Sequence, residues 1–215
     1  MKLLYRCGLD GLFVILLGLL SSSAAHAELF VTTSNAFGTS GAIAEYTTSG
    51  ALVNASLIPG LFNGIAISGS DLFVTNFATG TIGKYTTSGA TVNAALVSGL
   101  PSPVGIAVSG SDLFVGEEDQ GFIGEYTTSG ATVNASLISG LACPTAIAIS
   151  GSDLYVYNLG SEMIGKYTTS GATVNRFLVS VLAGDMAVVP EPSSLTLVGL
   201  GLAGLGLHGW RRRTS

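Results

Sequence analysis

The sequence predicts an all-β fold: a small propeller of four blades of about 41 residues, closed by strands from both termini and followed by one C-terminal transmembrane helix. Three observations predict it. A block of four strand-like segments recurs through the middle of the chain, the first copy lacks its opening segment, and the missing segment appears after the last copy.

The period is read from two patterns. Asp71-Leu72-Phe73-Val74, Asp112-Leu113-Phe114-Val115 and Asp153-Leu154-Tyr155-Val156 recur every 41 residues, and so do Ile82-Gly83-Lys84-Tyr85, Ile123-Gly124-Glu125-Tyr126 and Ile164-Gly165-Lys166-Tyr167. An earlier copy runs from Glu28-Leu29-Phe30-Val31 to Ile43-Ala44-Glu45-Tyr46, with a longer loop, 32–42, between its strands. Val53-Asn54, Val92-Asn93, Val133-Asn134 and Val174-Asn175 mark a further strand in all four copies. In the third unit the strands read as 105–108, 112–116, 122–127 and 131–138. Alternating apolar residues, β-branched side chains and Gly/Ser turns favour strands over helices. The turns Ser109-Gly110-Ser111 and Thr128-Ser129-Gly130 recur almost unchanged, as tight hairpins require.

The first copy begins directly at Leu29-Phe30-Val31, without a Gly-Ile-Ala strand. Residues 182–188 (Leu-Ala-Gly-Asp-Met-Ala-Val) align with 61–67 and supply that strand at the other end. One blade completed from both termini gives a closed four-bladed ring and removes the exposed edges that invite aggregation. A half-ring that pairs into eight blades and an open β-array are the alternatives. The stretch from Leu72 to Phe77 followed by Gly80-Thr81-Ile82 resembles the YVTN and NHL propeller repeats of secreted and surface proteins. Asn76 and Asn158 keep that motif's asparagine, whereas Thr33 and Glu117 replace it.

Both ends carry sorting features. Lys2 and Arg6, the apolar run from Gly11 to Leu20 and the Ala25-His26-Ala27 box make residues 1–27 a signal peptide, with cleavage by signal peptidase after Ala27. The run of about ten residues is half of what a bilayer core needs, which disfavours an uncleaved anchor. At the other end, Val189-Pro190-Glu191-Pro192 precedes a Gly/Leu-rich span at 194–210 and the cluster Arg211-Arg212-Arg213. The arginines orient the span with its C-terminus in the cytoplasm. Pro190 and Pro192 hold the segment before it extended, since neither can continue a helix.

This tail, residues 190–215 with its motif at 189–192, resembles the PEP-CTERM sorting domain, a tail also labelled an ice-binding-protein C-terminal domain. The resemblance implies exosortase as a partner: a transpeptidase-like membrane enzyme that cuts near the motif in Gram-negative bacteria, whose hosts usually make exopolysaccharide. The expected route is export, anchoring in the inner membrane by the C-terminal helix, then the cell surface or the extracellular matrix after processing. An ordinary single-span anchor is the alternative.

The remaining domain, 28–189, is long enough for one core. It holds eleven acidic residues against Lys84, Lys166 and Arg176, for a net charge of −8. Nucleic acid, which needs clustered cations, is excluded as a partner. His26 and His208 both lie in the sorting segments, so the domain has no histidine for a zinc site or a Ser-His-Asp triad. Cys143 is its only cysteine and reads as a small buried or turn residue.

Propeller geometry puts the near-invariant Ser-Gly-Ser-Asp and Thr-Thr-Ser-Gly turns on one face. The variable loops fall on the other: Asn76 to Thr79, Glu117-Glu118-Asp119-Gln120, Asn158 to Ser161 and the inter-blade segments. Function sits on variable loops of a rigid scaffold. Asn76, Glu117, Glu118, Asp119 and Asn158 are therefore the candidate ligand face. Their oxygens suit hydrogen bonding or calcium, while no catalytic residue and no dedicated metal site is expected. The first functional expectation is a non-catalytic binding or structural module whose partners are extracellular polysaccharide or surface proteins. A calcium-dependent hydrolase or lyase is the second, and a self-associating matrix component the third.

Overall fold

The computed structural model describes residues 28–34 and 40–181. They form one three-stranded and three four-stranded antiparallel sheets, each a simple meander. The first comprises β1 (Glu28–Ser34), β2 (Gly41–Thr47) and β3 (Leu52–Pro59). The second comprises β4 (Ile65–Ser68), β5 (Asp71–Asn76), β6 (Thr81–Thr86) and β7 (Thr91–Ser98). The third runs β8 (Pro103–Ser109), β9 (Asp112–Glu117), β10 (Phe122–Thr127) and β11 (Thr132–Ser139). The fourth runs β12 (Pro144–Ser150), β13 (Asp153–Asn158), β14 (Met163–Thr168) and β15 (Thr173–Ser180). The all-β blades expected from the 41-residue period are present, and among the described residues the first has three strands. The segment expected to complete it, 182–188, lies outside the described residues. So do the signal peptide with Ala25 and Ala27, the motif Val189 to Pro192, the transmembrane span and Arg211 to Arg213. Among the described residues no helix is long and apolar enough to cross a membrane.

Most strand limits fall within a residue of the sequence reading, and two differ by more. β8 starts at Pro103 rather than Gly105, with a register shift between Pro103 and Ile106 that lets Pro103 pair with Glu117 of β9. β1 and β2 extend to Ser34 and Gly41, which are register partners, so the first loop is shorter than 32–42.

The third strand of each blade binds the fourth through the same irregularity. In the third blade the register passes from Ile123↔Ile138 to Glu125↔Asn134 and then to Tyr126↔Thr132, so the outer strand bulges. The asparagine makes the bulge. Asn134 Oδ1 accepts the Ser136 N–H at 3.0 Å, and Asn54, Asn93 and Asn175 accept from Ser56, Ala95 and Phe177 at the same distance. The recurring Val-Asn pair is thus a bulge signature.

Blades stack by one repeated apolar joint. Phe30, Ile43 and Ile58 of the first blade bury against Leu72, Val74 and Tyr85 of the second, with Leu57 at the rim. Phe73, Ile82 and Val97 meet Leu113, Val115 and Tyr126, and Phe114, Ile123 and Ile138 meet Leu154, Val156 and Tyr167. The glycine of each Ile-Gly-x-Tyr segment leaves room for its own tyrosine. A Cβ on Gly124 would stand 2.7 Å from the Tyr126 hydroxyl and 2.8 Å from its ring.

Candidate functional site

The two expected faces are real. On one, the turn after the third strand rests on the first hairpin of its blade: the Thr87, Thr128 and Thr169 N–H groups donate to the Ser70, Ser111 and Ser152 carbonyls. Each Thr-Thr-Ser-Gly turn is closed by its own side chains. In the third blade Thr127 Oγ1 bonds Ser129 Oγ at 2.8 Å and accepts the Ala131 N–H at 2.9 Å. On the other face the end of the fourth strand meets the middle hairpin, with Leu100 N–H donating to Gly80 O and Leu141 N–H to Gly121 O.

Asn76, Glu117 and Asn158 occupy one structural position, the last residue of the second strand, on β5, β9 and β13. Asn76 turns onto its own loop, whereas Glu117 and Asn158 reach the inter-blade segment that precedes their blade. Asn76 Oδ1 accepts the Thr79 N–H at 3.0 Å. Asn158 is buried; its Oδ1 accepts from Ala142 N–H at 3.4 Å, and its Nδ2 donates to the Val156 and Met163 carbonyls. Glu117 is fully buried, and its Oε2 accepts the Ser102 N–H at 2.8 Å. Its Oε1 is buried with no hydrogen-bond partner.

Ser102, which the sequence places on the variable face in an inter-blade segment without marking it as a candidate, organises this corner. It is itself fully buried. Besides its bond to Glu117, its carbonyl accepts the Glu118 N–H and its Oγ accepts the Asp119 N–H at 2.9 Å. Glu118 is buried as well, and Asp119 is exposed at the loop tip. Thr75 plays a comparable part in the second blade: its Oγ1 accepts from Gly64 N–H at 2.8 Å and donates to Val104 O at 2.6 Å, joining neighbouring blades. The only signal for either residue was a small hydroxyl side chain among apolar neighbours.

The electrostatics follow from burial. Desolvation pushes the Glu117 carboxyl above its ordinary value, and the Ser102 N–H opposes this in part. Tyr126 is pushed up to about 12, first by burial and then by Glu117, so it stays protonated. Lys84 and Lys166 are held by Asp71 and Asp153 at 2.8 and 2.7 Å, at the start of the second strand and away from these loops. Cys143 sits in a left-handed turn at φ 53°, its carbonyl accepting the Leu159 N–H. Among the described residues no three His, Cys, Asp or Glu side chains stand together as a metal ion would require.

Residues 188–213 match the PEP-CTERM protein-sorting motif. The chain carries a PEP-CTERM sorting tail. No curated protein matches the chain. Among solved structures it is similar to a virginiamycin B lyase from Staphylococcus aureus, with 23% identity over 77% of this chain and 57% of that one, and a TM-score of 0.58. It is also similar to a chain of a nidogen–laminin complex, at 18% identity over 77% and 65% with a TM-score of 0.64. A gluconolactonase from Xanthomonas campestris matches at 18% identity over 77% and 64%, with a TM-score of 0.58. These likenesses establish the fold alone, a β-propeller type. The chain spans about three-fifths of the length of these structures. A PEP-CTERM tail behind such a domain implies an exported protein.

Proposed function

We propose that this chain is an envelope or extracellular-matrix protein whose propeller-type domain is a non-catalytic binding or structural module, delivered by signal peptidase at Ala27 and exosortase at the Val189 to Pro192 motif. The observation that carries this reading is the sorting tail joined to a domain in which Asn76, Glu117 and Asn158 each spend a side-chain oxygen on a backbone N–H of the same face. An enzyme needs polar groups free to meet substrate, and here Asn76, Glu117 and Asn158 cap backbone N–H groups instead. A variant of the similar lyase with a histidine replaced is described as catalytically inactive, and this domain contains no histidine. The lyase and lactonase likenesses therefore lend little to an enzymatic reading.

The test is the intact mass of the protein from a host that exports it, with fractionation into membrane, matrix and medium. A mass from Glu28 to the 189–192 region, recovered outside the membrane, is expected. A membrane-bound product retaining Arg211 to Arg213 would remove exosortase from the account. Turnover of lactones or of cyclic streptogramin substrates above the buffer rate would overturn the non-catalytic part.

A further inference from the structure

Each internal joint pairs a trailing set on one blade with a leading set on the next. The trailing sets are Phe30-Ile43-Leu57-Ile58, Phe73-Ile82-Leu96-Val97 and Phe114-Ile123-Leu137-Ile138. The leading sets are Leu72-Val74-Tyr85, Leu113-Val115-Tyr126 and Leu154-Val156-Tyr167. The joint is finished at its rim by leucine over glycine: a Cβ on Gly89, Gly130 or Gly171 would lie 2.9 to 3.1 Å from the terminal methyl of Leu57, Leu96 or Leu137.

The fourth blade carries the same trailing set, Tyr155, Ile164, Leu178 and Val179, and among the described residues nothing covers it. Val179 is 46% exposed, whereas Ile58, Val97 and Ile138 at the same position are 3%, 7% and 3%. Leu178 is 40% exposed, and Tyr155 and Ile164 are only half-buried, unlike Phe73, Phe114, Ile82 and Ile123. The first blade carries the matching leading set, Leu29, Val31, Tyr46 and Gly50. Leu29 and Tyr46 are half-buried where their counterparts are buried, Val31 is buried at 8% exposure where its counterparts are fully so, and Gly50 has open space where the other three glycines touch leucine. The outer strand of the fourth blade carries one further exposed apolar side chain. Phe177, 69% exposed, stands where the other outer strands carry Ser56, Ala95 and Ser136.

We propose that the uncovered trailing face of the fourth blade receives the first blade of a second copy, and that two copies close head-to-tail into one eight-bladed ring. The occupant is argued from the joint itself, since the chain builds this interface three times and leaves one half of it open at each end. Ring size follows from copy number. Heterologous contacts close only when the rotation returns to the start, and propellers typically hold four to eight blades. Two copies of four reach the upper end of that range; three exceed it. The inference goes beyond the proposed function and does not depend on it.

The test uses the full-length chain, expressed with its own sorting segments in an exporting host and purified in mild detergent. Sedimentation is expected to give two copies at micromolar concentration. Val179→Glu should shift it to one copy, while Val174→Glu, on the same strand and 55% exposed, should leave two. A Gly50→Cys, Leu178→Cys double variant should give a covalent dimer under oxidation, with a peptide linking 50 to 178. A one-copy mass, or a 50–178 link within a single chain, would mean that the chain closes on itself into four blades and would overturn the proposal. A ladder of larger products, insensitivity to Val179→Glu or no 50–178 link would overturn it too.

Discussion

At the residue scale the most informative side chain is Glu117. A carboxyl with one oxygen on a backbone N–H and the other buried without a partner is destabilising when ionised. Its pKa is raised, so the native chain keeps a proton at pH values where the unfolded chain has lost it. Stability is therefore highest below the ordinary glutamate value, falls as pH rises toward the raised native value, and levels above it. Glu117→Gln keeps an oxygen for Ser102 and removes the charge. It should raise stability at pH 8 by about 1 kcal/mol, a Tm gain of about 3 °C, and the gain should shrink toward pH 4. Thermal melts across that range check it; a loss of stability at pH 8 would mean that the ionised carboxylate is compensated within the fold. The chemistry of this position was only half legible in the sequence. Spacing put Asn76, Glu117 and Asn158 at equivalent sites, but whether a loop carboxylate faces solvent or its own backbone depends on Ser102, fifteen residues earlier, and no periodicity encodes that contact.

At the element scale the outer strands explain a repeated sequence feature that has no chemical role. β3, β7, β11 and β15 are blade edges, with Val53, Val92, Val133 and Val174 more than half exposed. Flat apolar edges invite pairing with other chains, and a bulge twists such an edge away from a straight partner. The asparagine side chain that accepts an N–H two residues on supplies that bulge in all four blades. Asn134→Ala should cost about 1 kcal/mol of stability. It should also increase aggregation during refolding, which light scattering against the parent chain would read. An unchanged Tm and unchanged scattering would reduce the Val-Asn pair to a simple strand marker. Strand positions and turns were legible because period-two alternation and Gly/Ser punctuation are local. The bulge was not, because it is a register relation between two strands.

At the scale of the molecule the array behaves as a row of units, each stabilised by its neighbours. The second and third blades each have two buried joints, and the first and fourth have one among the described residues. Local stability should follow that count, since exchange reports the free energy of opening each unit. In hydrogen exchange on the dilute chain, amides of β5, β6, β9 and β10 should be slowest. Those of β15, exposed along its whole length, should exchange fastest of the four outer strands. The 41-residue repeat could not announce this gradient, because four near-identical sequences look equally stable until it is known which faces are covered. Exchange also separates the two ways of covering the last face. Protection of β15 that rises with protein concentration requires a second copy. Protection equal to that of β11 at every concentration requires closure within one chain, with the first blade seated on the fourth.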